Sequence, residues 1–431
     1  MLARQKSRAA CSSTSAADHH ADAPWRRLMR VSNVPRQVLP VIVVSQFCAT
    51  SLWFAANAVM PDLQNAWNLP PTAVGALTSA VQVGFVGGTF TFALLMVADR
   101  FVPTRVFLVC AVLGSAANAL TVVLDRQWET LLVMRFAVGF LLAGIYPVGM
   151  RIAASWYRDE LGAVMGILIG ALVLGTALPH GMRAIGGSAF PFSWQVLLLC
   201  VSALATSGGV AMVLFVPTAS SPAPQHRITA RALTVIWTNK AVRASIFAYF
   251  GHMWELYTFY VLVPSVLATR LAGSQVSGAA FCAIASGLVG CVVGGMFVQR
   301  FGSARVAATQ LAISGACALA SPLMLAAPLP LFLSWLLLWG ATAAGDSPQF
   351  STLTAQNAPP ELVGSVLTFA NCVGFAITVA SIELFVRCAE AIAMPKLLPW
   401  LALGPALGLI AFRSLWRAPY HPSNPAPARP S

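Results

Sequence analysis

The stretch Tyr249-Phe-Gly-His252-Met-Trp-Glu255-Leu-Tyr257 lies inside an apolar run from about residue 246 to residue 267, which is long enough to cross a bilayer. An imidazole and a carboxylate at that depth are costly, because hydrocarbon offers a charged group neither solvation nor partners. His252 and Glu255 stand three residues apart and share one face of a helix. We therefore expect the rest of the chain to be a membrane-spanning scaffold that brings other polar groups opposite this face.

Composition extends this prediction to the whole chain. Hydrophobic residues make up 58% of the 431 residues and charged residues only 9%, a balance that excludes a soluble globular domain. Continuous apolar runs of about 20 residues predict α-helical spans rather than the short alternating strands of a barrel. We count twelve, near residues 39–60, 73–97, 104–124, 131–150, 162–182, 195–216, 244–268, 276–298, 305–326, 330–350, 363–385 and 397–414.

The net charge of +13 is distributed by membrane side. With the N-terminus inside, 20 Lys and Arg residues fall in cytoplasmic segments, 5 fall in outside loops, and Arg135 lies within a span. This asymmetry follows the positive-inside rule and predicts a multi-pass protein of the bacterial inner membrane with both termini cytoplasmic. The excess charge is thereby explained, and no nucleic-acid partner is expected. The nine cysteines lack metal-ligand or disulfide spacing, so we expect neither a metal site nor a cofactor.

The chain repeats itself at an offset of 200 to 201 residues. The loop after the second run contains Met96, Arg100, Phe101, Arg105 and Val106, which recur as Met296, Arg300, Phe301, Arg305 and Val306. Gly144 and Pro147 recur as Gly345 and Pro348. Two recurring sets of residues at nearly the same offset indicate that the second half of the chain is a duplicate of the first. The predicted organisation is a flexible tail (1–36), a six-helix bundle (37–218), a cytoplasmic linker (219–240), a second six-helix bundle (241–417) and a second flexible tail (418–431).

The two loops resemble the signature of the major facilitator superfamily, G-x-x-x-D-R-x-G-R-[KR], which stands between spans 2 and 3 and again between spans 8 and 9. The first copy keeps Asp99 and Arg100 but has Leu95 and Val102 in place of the two glycines. The resemblance implies an all-α integral membrane fold with twelve transmembrane helices in two pseudo-symmetric six-helix bundles, and a monomer. It also implies conformational-switch loops, formed here by Asp99, Arg100, Arg105, Gln299, Arg300 and Arg305.

Polar residues at helical spacing mark spans 1, 4, 7 and 10. This interval of three is expected if one helix of each three-helix unit lines a shared cavity, and the resemblance implies the same four helices. Interhelical hydrogen bonding and aromatic packing are the alternatives for any single residue. The candidate cavity residues are Gln46, Trp53, Asn57, Arg135, Trp254, Trp339 and Gln349. Arg135, about one turn inside its span, either holds an anionic solute group, neutralises a buried acid, or snorkels to the outer surface.

The predicted function is secondary active transport of a small solute by alternating access, because the chain offers no ATP-binding motif. Glu255 and Asp346 are the candidate proton carriers, with His252 sharing the proton, since burial makes the protonation of a carboxyl depend on which side is open. The expected partners are thus a small-molecule solute, protons and the lipid bilayer. An uncoupled facilitator and a non-transporting receptor or scaffold are the alternatives. An enzyme is not expected, and the solute and the direction of transport stay open.

Overall fold

The computed structural model describes residues 34–124, 127–157, 161–186, 193–218 and 231–417. Most of both predicted tails, 1–33 and 418–431, and half of the predicted linker, 219–230, lie outside the described residues. Every regular element within the described ranges is helical.

The described residues of the first half form ten helices. They are α1 (Val38–Thr50), α2 (Ala55–Ala58), α3 (Met60–Trp67), α4 (Ala73–Leu94), α5 (Val97–Arg100), α6 (Pro103–Val123), α7 (Trp128–Leu142), α8 (Tyr146–Trp156), α9 (Leu161–Gly186) and α10 (Trp194–Phe215).

The second half contributes nine helices and a short 3₁₀ turn among its described residues. They are α11 (Arg231–Thr238), α12 (Lys240–Ala268), α13 (Ser274–Phe301), α14 (Ser303–Met324), α15 (Leu329–Gly345), α16 (Ser347–Asn357), α17 (Val363–Cys388), α18 (Met394–Leu397), the 3₁₀ turn Leu398–Ala402, and α19 (Leu403–Trp416).

Ten helical segments of the described chain are long and apolar enough to cross a membrane. The predicted spans 1 and 7 correspond to the two remaining long stretches. Span 1 is α1, a shorter apolar helix of 13 residues followed by the separate α2. Span 7 is α12, which has 29 residues and carries His252 and Glu255 in its interior. The helical membrane architecture is confirmed, and the count of twelve spans stays a prediction.

Two helices break at matching positions in the two halves. The fourth span is interrupted between α7 and α8, and the tenth span is interrupted at Asp346 between α15 and α16. A proline follows each break as the second residue of the next helix, Pro147 in α8 and Pro348 in α16. Proline lacks the amide hydrogen of a helix interior but is tolerated in a first turn, so it suits a restart. The predicted duplication is thus matched by the backbone at an offset of 201 residues.

Glycines let two helices cross closely within each half. A Cβ atom on Gly139 of α7 would overlap the main-chain carbonyl of Val81 in α4, and one on Gly340 of α15 would overlap the carbonyl of Ala283 in α13. The pairs correspond, because Gly340 follows Gly139 by 201 residues and Ala283 follows Val81 by 202. The same backbone contact therefore fixes the same helix pair in both bundles.

The two halves meet along two helix pairs, α9 with α13 and α4 with α17. Gly170 and Gly181 of α9 face the side chains of Leu288 and Phe281 of α13. Gly75 of α4 faces Val386 of α17. These contacts enclose the inward faces of α12, α15 and the segment between α1 and α2, where the candidate site lies.

Candidate functional site

Glu255 is the centre of the polar cluster in the second half. It lies on the unbroken helix α12, and its side chain is only 1% exposed. Its Oε1 atom accepts a hydrogen bond from the Trp339 indole of α15 at 2.6 Å, and its Oε2 atom accepts one from the Ser314 hydroxyl of α14 at 2.8 Å. Two donors from two neighbouring helices therefore solvate a carboxyl group that the bilayer interior would not solvate.

The Ser314 hydroxyl has two acceptors within reach. Besides the Glu255 carboxyl it lies 3.1 Å from the carbonyl of Leu311, one turn earlier in α14. A hydroxyl carries one hydrogen, so it donates to one acceptor at a time and offers its lone pairs to another donor. Ser314 can thus donate to an ionised Glu255, or turn to Leu311 and accept the proton of a neutral Glu255.

His252 and Asp346 form a second buried pair one turn away along α12. The Nδ1 atom of His252 lies 2.8 Å from the Oδ1 atom of Asp346, with side chains 1% and 0% exposed. The approach is at ion-pair distance without hydrogen-bond alignment, and it becomes an ion pair when the imidazole carries a proton. Asp346 occupies the break between α15 and α16. The pair therefore ties the middle of the seventh span to the interruption of the tenth.

Arg135 is the buried charge of the first half. The helix α7 begins at Trp128, so Arg135 lies two turns inside rather than one, and it is 0% exposed. Its guanidinium donates to the carbonyls of Trp53 at 2.7 Å and Leu52 at 3.1 Å and to the Asn118 amide oxygen at 3.1 Å. No carboxylate is among its hydrogen-bond acceptors within the described chain. In this conformation Arg135 therefore neither neutralises a buried acid nor extends to the outer surface.

The carbonyls that Arg135 binds are free because the first span unwinds. Residues 51–54 form turns between α1 and α2. The hydroxyls of Thr50 and Ser51 turn back and donate to the carbonyls of Gln46 at 2.8 Å and Cys48 at 2.6 Å. Such back-bonding competes with the main-chain pattern and favours the end of a helix.

Four aromatic side chains from four spans meet at the centre of the molecule. Trp53, beside α2, lies 5.8 Å from Tyr257 of α12 and 5.6 Å from Phe375 of α17, measured between ring centroids. Phe85 of α4 lies 4.9 Å from Trp53 and 4.4 Å from Phe375. All four are buried. We call Trp53, Phe85, Tyr257 and Phe375 the aromatic layer; it joins the first half to the second.

The remaining predicted cavity residues are dispersed. Asn57 donates to the hydroxyl of Thr78 at 2.7 Å, Gln349 is buried in α16, and Gln46 is buried with no hydrogen-bond partner for its amide within the described residues. Trp254 points elsewhere. Its indole lies 3.4 Å from the carbonyl of Trp400, and its side chain packs against Gly404 of α19. The structure therefore does not bring Trp254 to the acid cluster.

The predicted switch loops have different partners in the two halves. Asp99 pairs with Arg151 of α8, a residue outside the loop, rather than with Arg100 or Arg105, which are exposed. In the second half the Arg300 guanidinium lies over the ring of Phe301, while Gln299 and Arg305 are exposed at the same end. The acid of the first loop thus ties α5 to the end of the fourth span.

Sequence reasoning missed Ser314, Asn118 and Arg151. Asn118 carried a signal, because an amide in the middle of an apolar span needs partners. Arg151 stands directly after the predicted span 4, where a basic residue is already explained by the positive-inside rule. Ser314 carried no distinguishing signal among the small residues of its span.

The sequence profile of the Major Facilitator Superfamily matches residues 42–381. A gallate transporter of Pseudomonas putida is 26% identical over 294 residues, which are 60% of this chain and 64% of the relative. An uncharacterized transporter of Schizosaccharomyces pombe is 25% identical over 215 residues, which are 48% of this chain and 38% of the relative. The chain thus spans less than two thirds of the length of either curated relative.

One solved structure extends the comparison to three dimensions. The crystal structure of the human organic anion transporter MFSD10 superposes with a TM-score of 0.66, over 88% of this chain and 98% of that chain. The sequence identity is 15%, so the likeness concerns the fold alone.

Proposed function

Because the chain belongs to the major facilitator superfamily, as the match over residues 42–381 shows, we propose that it is a proton-coupled secondary transporter that works by alternating access. Solute transport itself is supported by the family and by the transporter relatives. The coupling and the access mechanism are the finer steps of the proposal. No enzymatic role is proposed.

The observation that carries the coupling is the solvation of Glu255. A carboxyl group sealed from solvent needs either a proton or several donors, and here the Trp339 indole and the Ser314 hydroxyl are donors at 2.6 and 2.8 Å. The second acceptor of Ser314, the Leu311 carbonyl, permits the neutral form as well. A site that serves both forms without solvent suits a group that gains a proton on one side and loses it on the other.

The His252–Asp346 pair is the second part of the proton site. Among the described residues, the His252 Nε2 atom and the Asp346 Oδ2 atom have no hydrogen-bond partner, so the pair retains capacity for a proton. Both His252 and Glu255 lie on α12, and both of their partners Asp346 and Trp339 lie on α15 or at its end. Relative movement of these two helices would therefore change both contacts together.

The contacts between the halves support alternating access. Where α9 meets α13, glycines face the flexible ends of Leu288 and Phe281, and the aromatic layer closes the centre. Such surfaces separate without breaking main-chain hydrogen bonds. The two bundles then rock about the buried clusters and open them to one side at a time.

An organic anion is the solute class to test first. The sequence relative from Pseudomonas putida is a gallate transporter, and gallate is an organic anion. Arg135 adds a fixed positive charge that contacts carbonyl and amide oxygens instead of a carboxylate. An anionic group entering from the aromatic layer would approach that charge beside Trp53.

The test is proton flux into sealed proteoliposomes that contain the purified protein and an internal pH dye, across a panel of organic anions, cations and neutral solutes. Glu255→Gln is the paired variant, because the amide keeps the size and loses the titratable proton. We expect a solute-dependent pH change in the wild type that Glu255→Gln abolishes, because the amide cannot carry the proton. Solute exchange at equal concentrations should survive in the variant.

Two outcomes would contradict the proposal in different ways. If solute crosses with no proton movement in either protein, the chain is an uncoupled facilitator and Glu255 is structural. If no solute crosses although the protein is folded and inserted, a receptor or scaffold function is favoured.

A further inference from the structure

The aromatic layer contains nearly parallel ring pairs that join the two halves. Trp53 presents its ring nearly parallel to both rings of the second half, at 26° to Tyr257 and 24° to Phe375. Phe85 closes the side of this arrangement at 4.4 Å from Phe375. The neighbouring ring Phe54 is also nearly parallel to Tyr257, at 25°, whereas it meets Tyr260 edge-on at 84°.

The orientation of Trp53 is fixed by polar contacts behind its ring. Its indole nitrogen donates to the Gln82 amide oxygen at 3.1 Å, and its carbonyl accepts from Arg135 at 2.7 Å. Both polar ends are thereby bonded away from the faces of the ring. The surface that Trp53 turns toward the second half is flat, rigid and apolar.

Separation of the halves must part the layer, because three of its ring contacts, Trp53–Tyr257, Trp53–Phe375 and Phe85–Phe375, join one half to the other. Each half then exposes aromatic faces that have lost their stacking partners. A planar aromatic ring can stack on the exposed faces of both halves in place of the lost partners. A puckered saturated ring packs less closely between flat faces and lacks the charge distribution that favours ring stacking.

We propose that the solute of this protein contains a planar aromatic ring, which enters the layer between Trp53 of the first half and Phe375 and Tyr257 of the second. The inference rests on the proposed transport function and names the part of the solute that the protein recognises. Phe375 and Tyr257 are specificity-determining residues in this scheme. Arg135, bonded to the carbonyl of Trp53, positions the first face.

The experiment compares solutes that differ only in ring character. Uptake into proteoliposomes is measured at neutral pH, with protein-free vesicles subtracted, for benzoate against cyclohexanecarboxylate and for benzyltrimethylammonium against its cyclohexylmethyl analogue. We expect the aromatic member of the transported pair to exceed the saturated member by about 10-fold in the wild type. Because this comparison needs no variant, misfolding cannot obscure it.

Two variants then locate the preference. Phe375→Leu removes a ring of the layer while keeping an apolar side chain, and it should lower aromatic uptake toward the saturated level. Phe412→Leu is the matched control, because Phe412 is equally buried in α19 and lies outside the layer. It should keep the full preference.

Equal uptake of both members of the transported pair would overturn the inference while leaving transport intact. Transport of a solute that lacks an aromatic ring, with neither pair crossing, would overturn it as well. If no solute of any class crosses, the proposed function itself fails, and the inference falls with it.

Discussion

The two halves of the molecule bury charged groups in different ways at the same position of the repeat. The offset of 201 residues that relates Pro147 to Pro348 also relates residues 51–54 of the first span to residues 252–255 of the seventh. In the first half this segment unwinds, and its carbonyls receive Arg135 from the fourth span. In the second half the helix continues unbroken, and the charge-bearing groups His252 and Glu255 are its own side chains.

The difference shows how a membrane protein can bury either sign of charge. Arginine does not deprotonate in proteins, so its charge is stabilised permanently by carbonyl oxygens. A carboxyl group can take up a proton, so it needs neighbours that tolerate both forms, as Ser314 does. The first half therefore holds a permanent charge, and the second half holds groups that are able to gain or lose a proton.

The largest effect should come from removing the fixed charge. Arg135→Met leaves the carbonyls of Leu52 and Trp53 buried without donors, and each orphaned group costs about 1–3 kcal/mol. We expect the melting temperature in detergent, followed by tryptophan fluorescence, to fall by several degrees. Arg135→Lys should rescue little, because an ammonium group lacks the planar fork that reaches three acceptors.

The matched control for that variant is Arg183→Met. Arg183 pairs with Asp62 and binds the Ala58 carbonyl, but both charged side chains are partly exposed, so solvent compensates the loss. An equal fall in melting temperature for the two variants would remove the distinction between the buried site and an ordinary ion pair.

The next effect concerns the variable charge. His252→Gln and Asp346→Asn each remove one member of a buried pair, and the double variant removes both. We expect the two losses of unfolding free energy to be non-additive by about 0.5–3 kcal/mol, as for residues in direct contact. Additive losses would mean that the 2.8 Å contact contributes no coupling.

A smaller effect should follow from Ser314. Ser314→Ala removes one donor to Glu255, and a hydrogen bond to a charged group is worth about 1.5–3 kcal/mol. The midpoint of the pH dependence of solute uptake should move by about one to two pH units. Ser314→Thr keeps the hydroxyl and should restore the original midpoint, which a purely structural role of the side chain would not require.

The smallest effect separates the two tryptophans at equivalent positions, Trp53 and Trp254. Trp254→Phe should change uptake by no more than about 2-fold, because this side chain packs against α19. Trp53→Phe removes the donor to Gln82 and should lower uptake further. Similar uptake by the two variants would mean that Trp53 contributes no more to transport than Trp254 does.

Much of the second half's site was predictable from the sequence. Helical periodicity puts His252 and Glu255 on one face, and polar residues recurring on the tenth span identify Trp339 and Asp346 as their neighbours. The same periodicity argues against Trp254 in the cavity, since two residues along a helix correspond to about 200° of rotation from His252. The prediction that Trp254 lines the cavity did not take this rotation into account.

The first half's site was less predictable. The run from Val41 to Met60 contains neither glycine nor proline, so no residue near the break at residues 51–54 signals it. The break depends on hydroxyl back-bonding and on Arg135, which stands 82 residues from the carbonyl it binds most closely. Tertiary partners of this kind leave no local pattern in one sequence.

The glycine crossings have a mechanical consequence. Within each bundle, Gly139 and Gly340 bring the main chains of two helices into direct contact, and main-chain atoms cannot rotate away as side chains can. Between the bundles, the nearest atoms to Gly170 and Gly181 belong to the side chains of Leu288 and Phe281, which can rotate. We therefore expect any movement between the halves to occur at these side-chain contacts, while the crossings inside each bundle are kept.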